Sequence, residues 1–169
     1  MCRKRICSLL LLFLVLLAPL GCADSEGDWF APLRGGFSAR VAGEWNGVAF
    51  EGRLVAAPVG TQGAREMTLS FYAPSALCAT EVKLAAHGTL TLCADGVSIP
   101  LTDTATQGYL ALFSLFSCAG EVREVLREDG NTRVNGTGFS LLFAQDGAPI
   151  AAENATVRIQ ISDFVREGA

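Results

Sequence analysis

The residues able to do chemistry are few and scattered. The 169-residue chain holds one histidine, His87, beside Gly88 in a turn-like stretch. A general base needs an orienting partner, and none stands at motif spacing from His87. It reads as a solvated turn residue. No G-x-S-x-G, P-loop or H-E-x-x-H pattern occurs. Glu121, Glu124, Glu128 and Asp129 cluster, but Arg123 and Arg127 interleave with them. That is the pattern of a solvated, ion-paired face rather than a metal site. Asp95 and Asp103 lack the regular repeat of a calcium loop. Asn135-Gly136-Thr137 and Asn154-Ala155-Thr156 are glycosylation sequons, without meaning in a bacterial host. The expectation is therefore a protein that is not an enzyme, with no metal and no cofactor.

The chemistry that does stand out is at Cys22. Residues 9–22 read LLLLFLVLLAPLGC behind Arg3, Lys4 and Arg5. This is a basic start followed by an apolar run too short for a comfortable membrane span of about 20 residues. Pro19 breaks the helix, and Leu20-Gly21-Cys22 follows. The ending resembles the lipobox of bacterial lipoproteins, in which a cysteine is acylated and becomes the new N-terminus. Gly21 and Cys22 fit that pattern, whereas Leu20 and Pro19 depart from it by one position. The resemblance implies lipid attachment at Cys22 and an extracytoplasmic protein anchored to a bacterial membrane. The other reading is an ordinary secretory signal cut near Gly21 or Ala23, with Cys22 incidental.

Cysteine arithmetic follows from that reading. Cys2 and Cys7 leave with the signal and Cys22 takes the lipid, so Cys78, Cys93 and Cys118 remain. An odd number allows at most one internal disulfide. Cys78 to Cys93 closes the shortest loop and is the preferred pair. Three small buried thiols are the other reading. C-x-x-C spacing is absent, which argues against zinc.

Beyond residue 21 the chain carries ten basic and seventeen acidic residues, a net charge of −7. Nucleic acid needs a basic patch, so it is not an expected partner. Anionic lipid headgroups are not bound by charge either. The membrane is reached through the N-terminal lipid alone.

The elements are mainly β. Phe37, Ala39, Val41, Gly43 and Trp45 alternate with polar or small residues up to Asn46-Gly47. That pair favours a two-residue hairpin loop. Val48, Phe50, Gly52, Leu54 and Ala56 return. The turn sets Trp45 against Val48, Gly43 against Phe50 and Val41 against Gly52. It also sets Arg40 opposite Arg53, with Glu51 on the diagonal. Met67, Leu69 and Phe71 mark a third strand ended by Ala73-Pro74. Val82 and Leu84, Leu90 and Leu92, and Val97 to Leu101 mark the next three. In residues 121–128, Val122, Val125 and Leu126 suit a helix as well as an irregular strand; strand is the reading adopted, because Asp129-Gly130 then makes a hairpin with residues 132–134. Residues 139–144 and 155–164 close the chain. Short strands with Gly turns read as an antiparallel sheet, sandwich or barrel.

Residues 107–118, QGYLALFSLFSC, break the rhythm. Tyr109, Leu112, Phe113 and Phe116 share one helical face, and Leu110 and Leu115 flank it. Such a helix must be enclosed, and the concave face of the sheet is the natural place. A plain core helix is the simpler reading. A lid over an apolar cavity is the functional one.

The element order resembles the open half-barrel of the lipoprotein-carrier family (LolA and LolB type). Ser70-Phe71-Tyr72-Ala73-Pro74 is similar to that family's strand-ending proline, and Ala94-Asp95-Gly96-Val97 to its Asp-Gly turn. The likeness covers residues 37–164. The helix that precedes the first hairpin in that family is reduced here to residues 28–33. The resemblance implies a curved sheet whose concave side holds an acyl chain or another apolar ligand under helices. The expected organisation is a signal peptide at 1–21, a short tether at 22–36 and one β domain at 37–169. Tether residues Asp28, Trp29, Phe30 and Leu33 make a turn that packs on the domain. Fourteen extended residues reach at most about 50 Å, so the domain stays near its membrane. Two functions stay open. One is a lipoprotein binding a lipid or other apolar ligand in a cavity lined by Trp45, Phe50, Tyr109, Leu112, Phe113 and Phe116. The other is a structural or protein-interaction lipoprotein of the cell envelope with a filled core and an unidentified protein partner.

Overall fold

The computed structural model describes residues 27–167 apart from 46, 62 and 103. The signal, Cys22, Asn46 and Asp103 lie outside the described residues.

An apolar turn comes first: α1 (Ala31–Arg34), with Pro32 in its first turn, where a missing N–H costs nothing. Leu33 and Phe30 are buried. Then β1 (Phe37–Trp45) and β2 (Val48–Ala56) form the hairpin. Its register is the expected one, with Trp45 opposite Val48, Gly43 opposite Phe50 and Val41 opposite Gly52. Next come β3 (Met67–Ala73), a 3-10 turn (Ser75–Leu77), β4 (Thr80–Leu84), β5 (Leu90–Ala94) and β6 (Val97–Pro100). The helix α2 (Thr104–Ser114) follows. Then β7 (Val122–Glu128), β8 (Asn131–Gly136), β9 (Phe139–Phe143), β10 (Pro149–Asn154) and β11 (Val157–Arg166) complete the chain.

All eleven strands belong to one antiparallel sheet in the order β6-β5-β4-β3-β2-β1-β11-β10-β9-β8-β7. The two meanders meet where β1 pairs with β11, Val41 opposite Ile161 and Trp45 opposite Val157. The sheet is not closed: β6 and β7 are its two edges. The chain crosses between them through residues 101–121. A flat sheet of eleven strands is about 48 Å wide. A helix of eleven residues gains only about 16 Å, and Leu115, Phe116 and Ser117 turn again on hydrogen bonds to Leu112, Phe113 and Ser114. The connection fits because the sheet is curved and α2 lies inside the curve.

Two strand glycines permit that curvature. A Cβ on Gly43 would collide with the Arg158 carbonyl, and one on Gly52 would stand 2.6 Å from the Ser70 carbonyl. The strand backbones therefore approach where no side chain holds them apart. The concave side carries Phe37, Val41, Leu54, Leu69, Val82, Leu141 and Ile159, all essentially buried. The chain has the open half-barrel architecture that the resemblance implied, with two short helices on its inner side.

Candidate functional site at the open end

The sheet residues that face inward alternate by rule, so Trp45, Phe50, Leu69 and Phe71 share one side. They converge at the hairpin-tip end of β1 and β2. The first turns of α2 come down onto them because residue 108 is glycine. A Cβ there would overlap the Trp45 indole. Tyr109 then stands edge-on to Trp45 at 4.8 Å between ring centroids, and to Phe71 at 6.4 Å. Burial pushes the Tyr109 phenol above its ordinary range. Asn154 fixes the helix from the other side. Its Nδ2 donates to the Ala111 carbonyl at 2.7 Å, and its Oδ1 accepts the Thr156 and Val157 amides at 2.9 Å.

Among the described residues a niche of about 40 Å³ is left between helix and sheet. It is lined by Trp45, Val48, Phe50, Leu69, Phe71, Leu77, Tyr109 and Leu112. No lining surface is polar. Four of the six sequence-chosen cavity residues meet here: Trp45, Phe50, Tyr109 and Leu112. Phe113 and Phe116 do not. Both are fully buried core residues, and Phe116 packs on Phe37 with centroids 5.8 Å apart. They fill the concave face, because α2 carries apolar residues around most of its circumference and the sheet curls over it.

The opposite end is sealed. Phe37 packs there on Phe164 at 5.1 Å, and Phe30 packs on Phe139, the cross-strand partner of Asn154, at 5.8 Å. Arg65 lies buried at this end. Its guanidinium donates to the carbonyls of Leu33 at 2.6 Å, Gly35 at 2.9 Å, Phe116 at 3.1 Å and Ala57. It also stands over the Phe37 ring at 5.1 Å. These carbonyls are the orphan acceptors at the ends of α1, β2 and the α2 segment. Desolvation lowers the Arg65 pKa from its ordinary value. The sequence reading missed Arg65. An arginine two residues before an alternating strand looks like any surface charge, and only the fold brings four carbonyls to it.

The expected bridge between Cys78 and Cys93 is not formed. Cys78, Cys93 and Cys118 are free thiols. Cys93 pairs with Glu81, three residues past Cys78. That offset is about 10 Å along a strand, beyond the ~7 Å a disulfide tolerates. Cys78 Sγ instead donates to the Tyr72 carbonyl at 2.7 Å, and Cys93 Sγ lies 3.4 Å from Ser98 Oγ. His87 is exposed in its turn. Glu121, Glu124, Glu128 and Asp129 are exposed as well, and Glu124 accepts from Asn135 at 3.0 Å. Among the described residues no three His, Cys, Asp or Glu side chains converge as a metal site. None of the described helices is long and apolar enough to cross a membrane.

No family model matches the chain, and no curated protein matches it. Solved structures do. One is an uncharacterised conserved protein from Thermus thermophilus, with a TM-score of 0.51 and 13% identity over 86% of this chain and 87% of that one. Another is described as an outer-membrane lipoprotein-sorting protein domain from Vibrio parahaemolyticus, with a TM-score of 0.48 and 10% identity over 86% and 94%. A third is MucB, with a TM-score of 0.44 and 19% identity over 88% of this chain. The chain spans 60% of MucB. At these identities the likeness is one of fold.

Proposed function

We propose that this protein is a lipid-anchored, extracytoplasmic binding module without enzymatic activity, acting through contacts with a protein partner. Residues 1–21 serve as the signal, Cys22 takes the lipid, and the following residues tether a single β domain. One observation carries the choice between the two open functions. Phe113 and Phe116 occupy the concave face, and the niche beside them, among the described residues, measures about 40 Å³. Pockets for small molecules run to about 300–1,000 Å³. A niche of that size does not hold an acyl chain. Surfaces for protein contact are present. The β6 edge exposes Val97 and Ile99 and offers unpaired backbone groups to another strand.

The test is mass spectrometry of the protein extracted from membranes in mild detergent, then denatured. The expected result is acylated Cys22 and no second lipid. A further lipid released at one equivalent on denaturation overturns the protein-contact reading. A photo-crosslinker at Ile99 in intact cells should then trap one discrete partner.

A second reading has its own observation. The niche is wholly apolar, while Trp45 Nε1 and Thr106 Oγ1 are buried without hydrogen-bond partners. Both belong to the contact between α2 and the sheet. Were α2 to lift, an apolar ligand with one acceptor would be served there. A blue shift of tryptophan emission on titration with a short fatty acid, lost in Tyr109→Ala, is the signature of this reading.

A further inference from the structure

We infer that the α1 end of the domain is its membrane-facing surface and that the open end, with Trp45 and Tyr109, points away from the anchoring membrane. This rests on lipid attachment at Cys22.

The argument is one of reach. The sequence alone allowed a tether of fourteen residues. The structure shortens it, because everything from Asp28 onward is held to the domain. Asp28 pairs with Arg34 at 2.8 Å. The Trp29 and Ala31 amides donate to the Gly27 and Asp28 carbonyls. Leu33 is fully buried, and Arg65 holds the Leu33 and Gly35 carbonyls. The Val59 amide closes on the Arg34 carbonyl. Only the link between Cys22 and Gly27 then sets the reach of the anchor. Five residues span at most about 18 Å.

The chain leaves the domain at the sealed end. Arg65 holds the Leu33 and Gly35 carbonyls at the end of α1 while it stands over Phe37, the first residue of β1, and Trp45 is the last. Nine strand residues separate the two ends by about 26 Å. α2 follows the same axis in reverse, with Tyr109 against Trp45 and Phe116 against Phe37. A leash of about 18 Å at one end does not bring the other end to the lipid surface unless the domain lies on its side. The acidic balance of the chain gives it no electrostatic reason to do so. The niche and the exposed Val48 at its rim are then served from the aqueous side. They are not placed to draw lipid from their own membrane.

The chain's two tryptophans mark the two ends, which makes the test direct. The full-length protein is purified acylated and reconstituted into phosphatidylcholine vesicles carrying a dansyl-headgroup lipid. Trp45→Phe leaves Trp29 as donor, and Trp29→Phe leaves Trp45. The expected result is that Trp29 loses most of its emission to the headgroup probe while Trp45 keeps most of its own. A maleimide fluorophore on the exposed native Cys78 is a second reporter of the open end. It lies just past β3, whose Ala73 end sits opposite Glu51 near the niche. It should also stay clear of the headgroups, even if a tryptophan variant folds poorly. Transfer from Trp45 or Cys78 equal to that from Trp29 overturns the orientation while leaving the anchor intact. Intact mass showing an unacylated N-terminus, with no flotation on vesicles, overturns the anchor and this proposal together.

Discussion

The Trp45 indole packs directly on Gly108, at a separation that leaves no room for a methyl group. This contact sets how close α2 comes to the sheet, and so how little space is left beneath it. Glycine is a poor helix residue, about 1 kcal/mol worse than alanine. Here it is kept for the approach. Gly108→Ala should therefore destabilise the domain by about 1–3 kcal/mol through overpacking, against the gain in helix propensity. Urea denaturation followed by tryptophan emission measures it. A variant more stable than the parent would falsify the packing assigned to this pair.

The first hairpin was legible because three local signals agreed: period-two alternation, an Asn-Gly turn, and complementary sizes across the strands. Its register is the observed one through Phe37 opposite Ala56. The fourth through sixth strands were readable from alternation and from the glycine turns at His87-Gly88 and Asp95-Gly96. β10 (Pro149–Asn154) was not foreseen. Its sequence PIAAEN begins with proline, which lacks a ladder donor, and offers one β-branched residue. Its strand character comes from its neighbours β9 and β11. The helix was placed three residues late. Residues 115–117 continue the apolar pattern in tight turns, and Cys118 has φ +55°, which ends the helical path. The niche was half legible. Periodicity identifies which residues face inward, but not whether they touch or leave a gap. That depends on Gly43, Gly52 and Gly108, whose effect is the approach of other backbones and rings.

Arg65 is a cross-link made of hydrogen bonds. It joins segments that lie 30 and 51 residues away in sequence, at Gly35 and Phe116. Arg65→Met keeps some volume and leaves the carbonyls of Leu33, Gly35, Ala57 and Phe116 without their donor. A buried acceptor left unsatisfied costs about 1–3 kcal/mol. The variant should lose at least about 3 kcal/mol and release α1 first. Hydrogen exchange at Leu33, Arg34 and Val59 should accelerate more than exchange in β1. Equal acceleration everywhere would show that Arg65 does not hold α1 in particular. Arg65→Lys should recover only part of the loss, because an ammonium lacks the fork that reaches several carbonyls together.

The thiols should separate by reactivity. Cys78 is exposed, whereas burial raises the Cys118 thiol above its ordinary range despite the nearby Arg65 and Arg34. With its folded pKa raised, Cys118 stabilises the fold fully below the ordinary thiol range. That contribution is lost as pH rises through the folded value. Iodoacetamide labelling near neutral pH should modify Cys78 well before Cys118, with Cys118 labelling rising only in alkaline buffer. Peptide mass mapping over time reads the order. No Cys78–Cys93 peptide should appear in the non-reduced digest. Labelling of Cys118 ahead of Cys78 near neutral pH would contradict its burial.

Arg40 faces Arg53 across the first hairpin. Like charges directly opposite on a sheet repel. Glu51 takes up Arg40 at 2.8 Å, and Arg53 reaches only the Ser38 hydroxyl at 3.3 Å. Arg53→Thr removes the repulsion and places a β-branched residue in the strand. It should melt at a higher temperature than the parent. Both side chains are exposed, so the effect belongs to dilute buffer. The screening length falls from about 30 Å at 0.01 M salt to about 3 Å at 1 M, and the gap between variant and parent should close over that range. Glu51→Gln should do the reverse, leaving two uncompensated guanidinium groups and lowering the melting temperature most at low salt. Thermal scans of the three proteins at both salt concentrations decide it. If Arg53→Thr melts lower in dilute buffer, attraction from the acidic surroundings outweighs the cross-strand repulsion, and the pair is held together rather than tolerated.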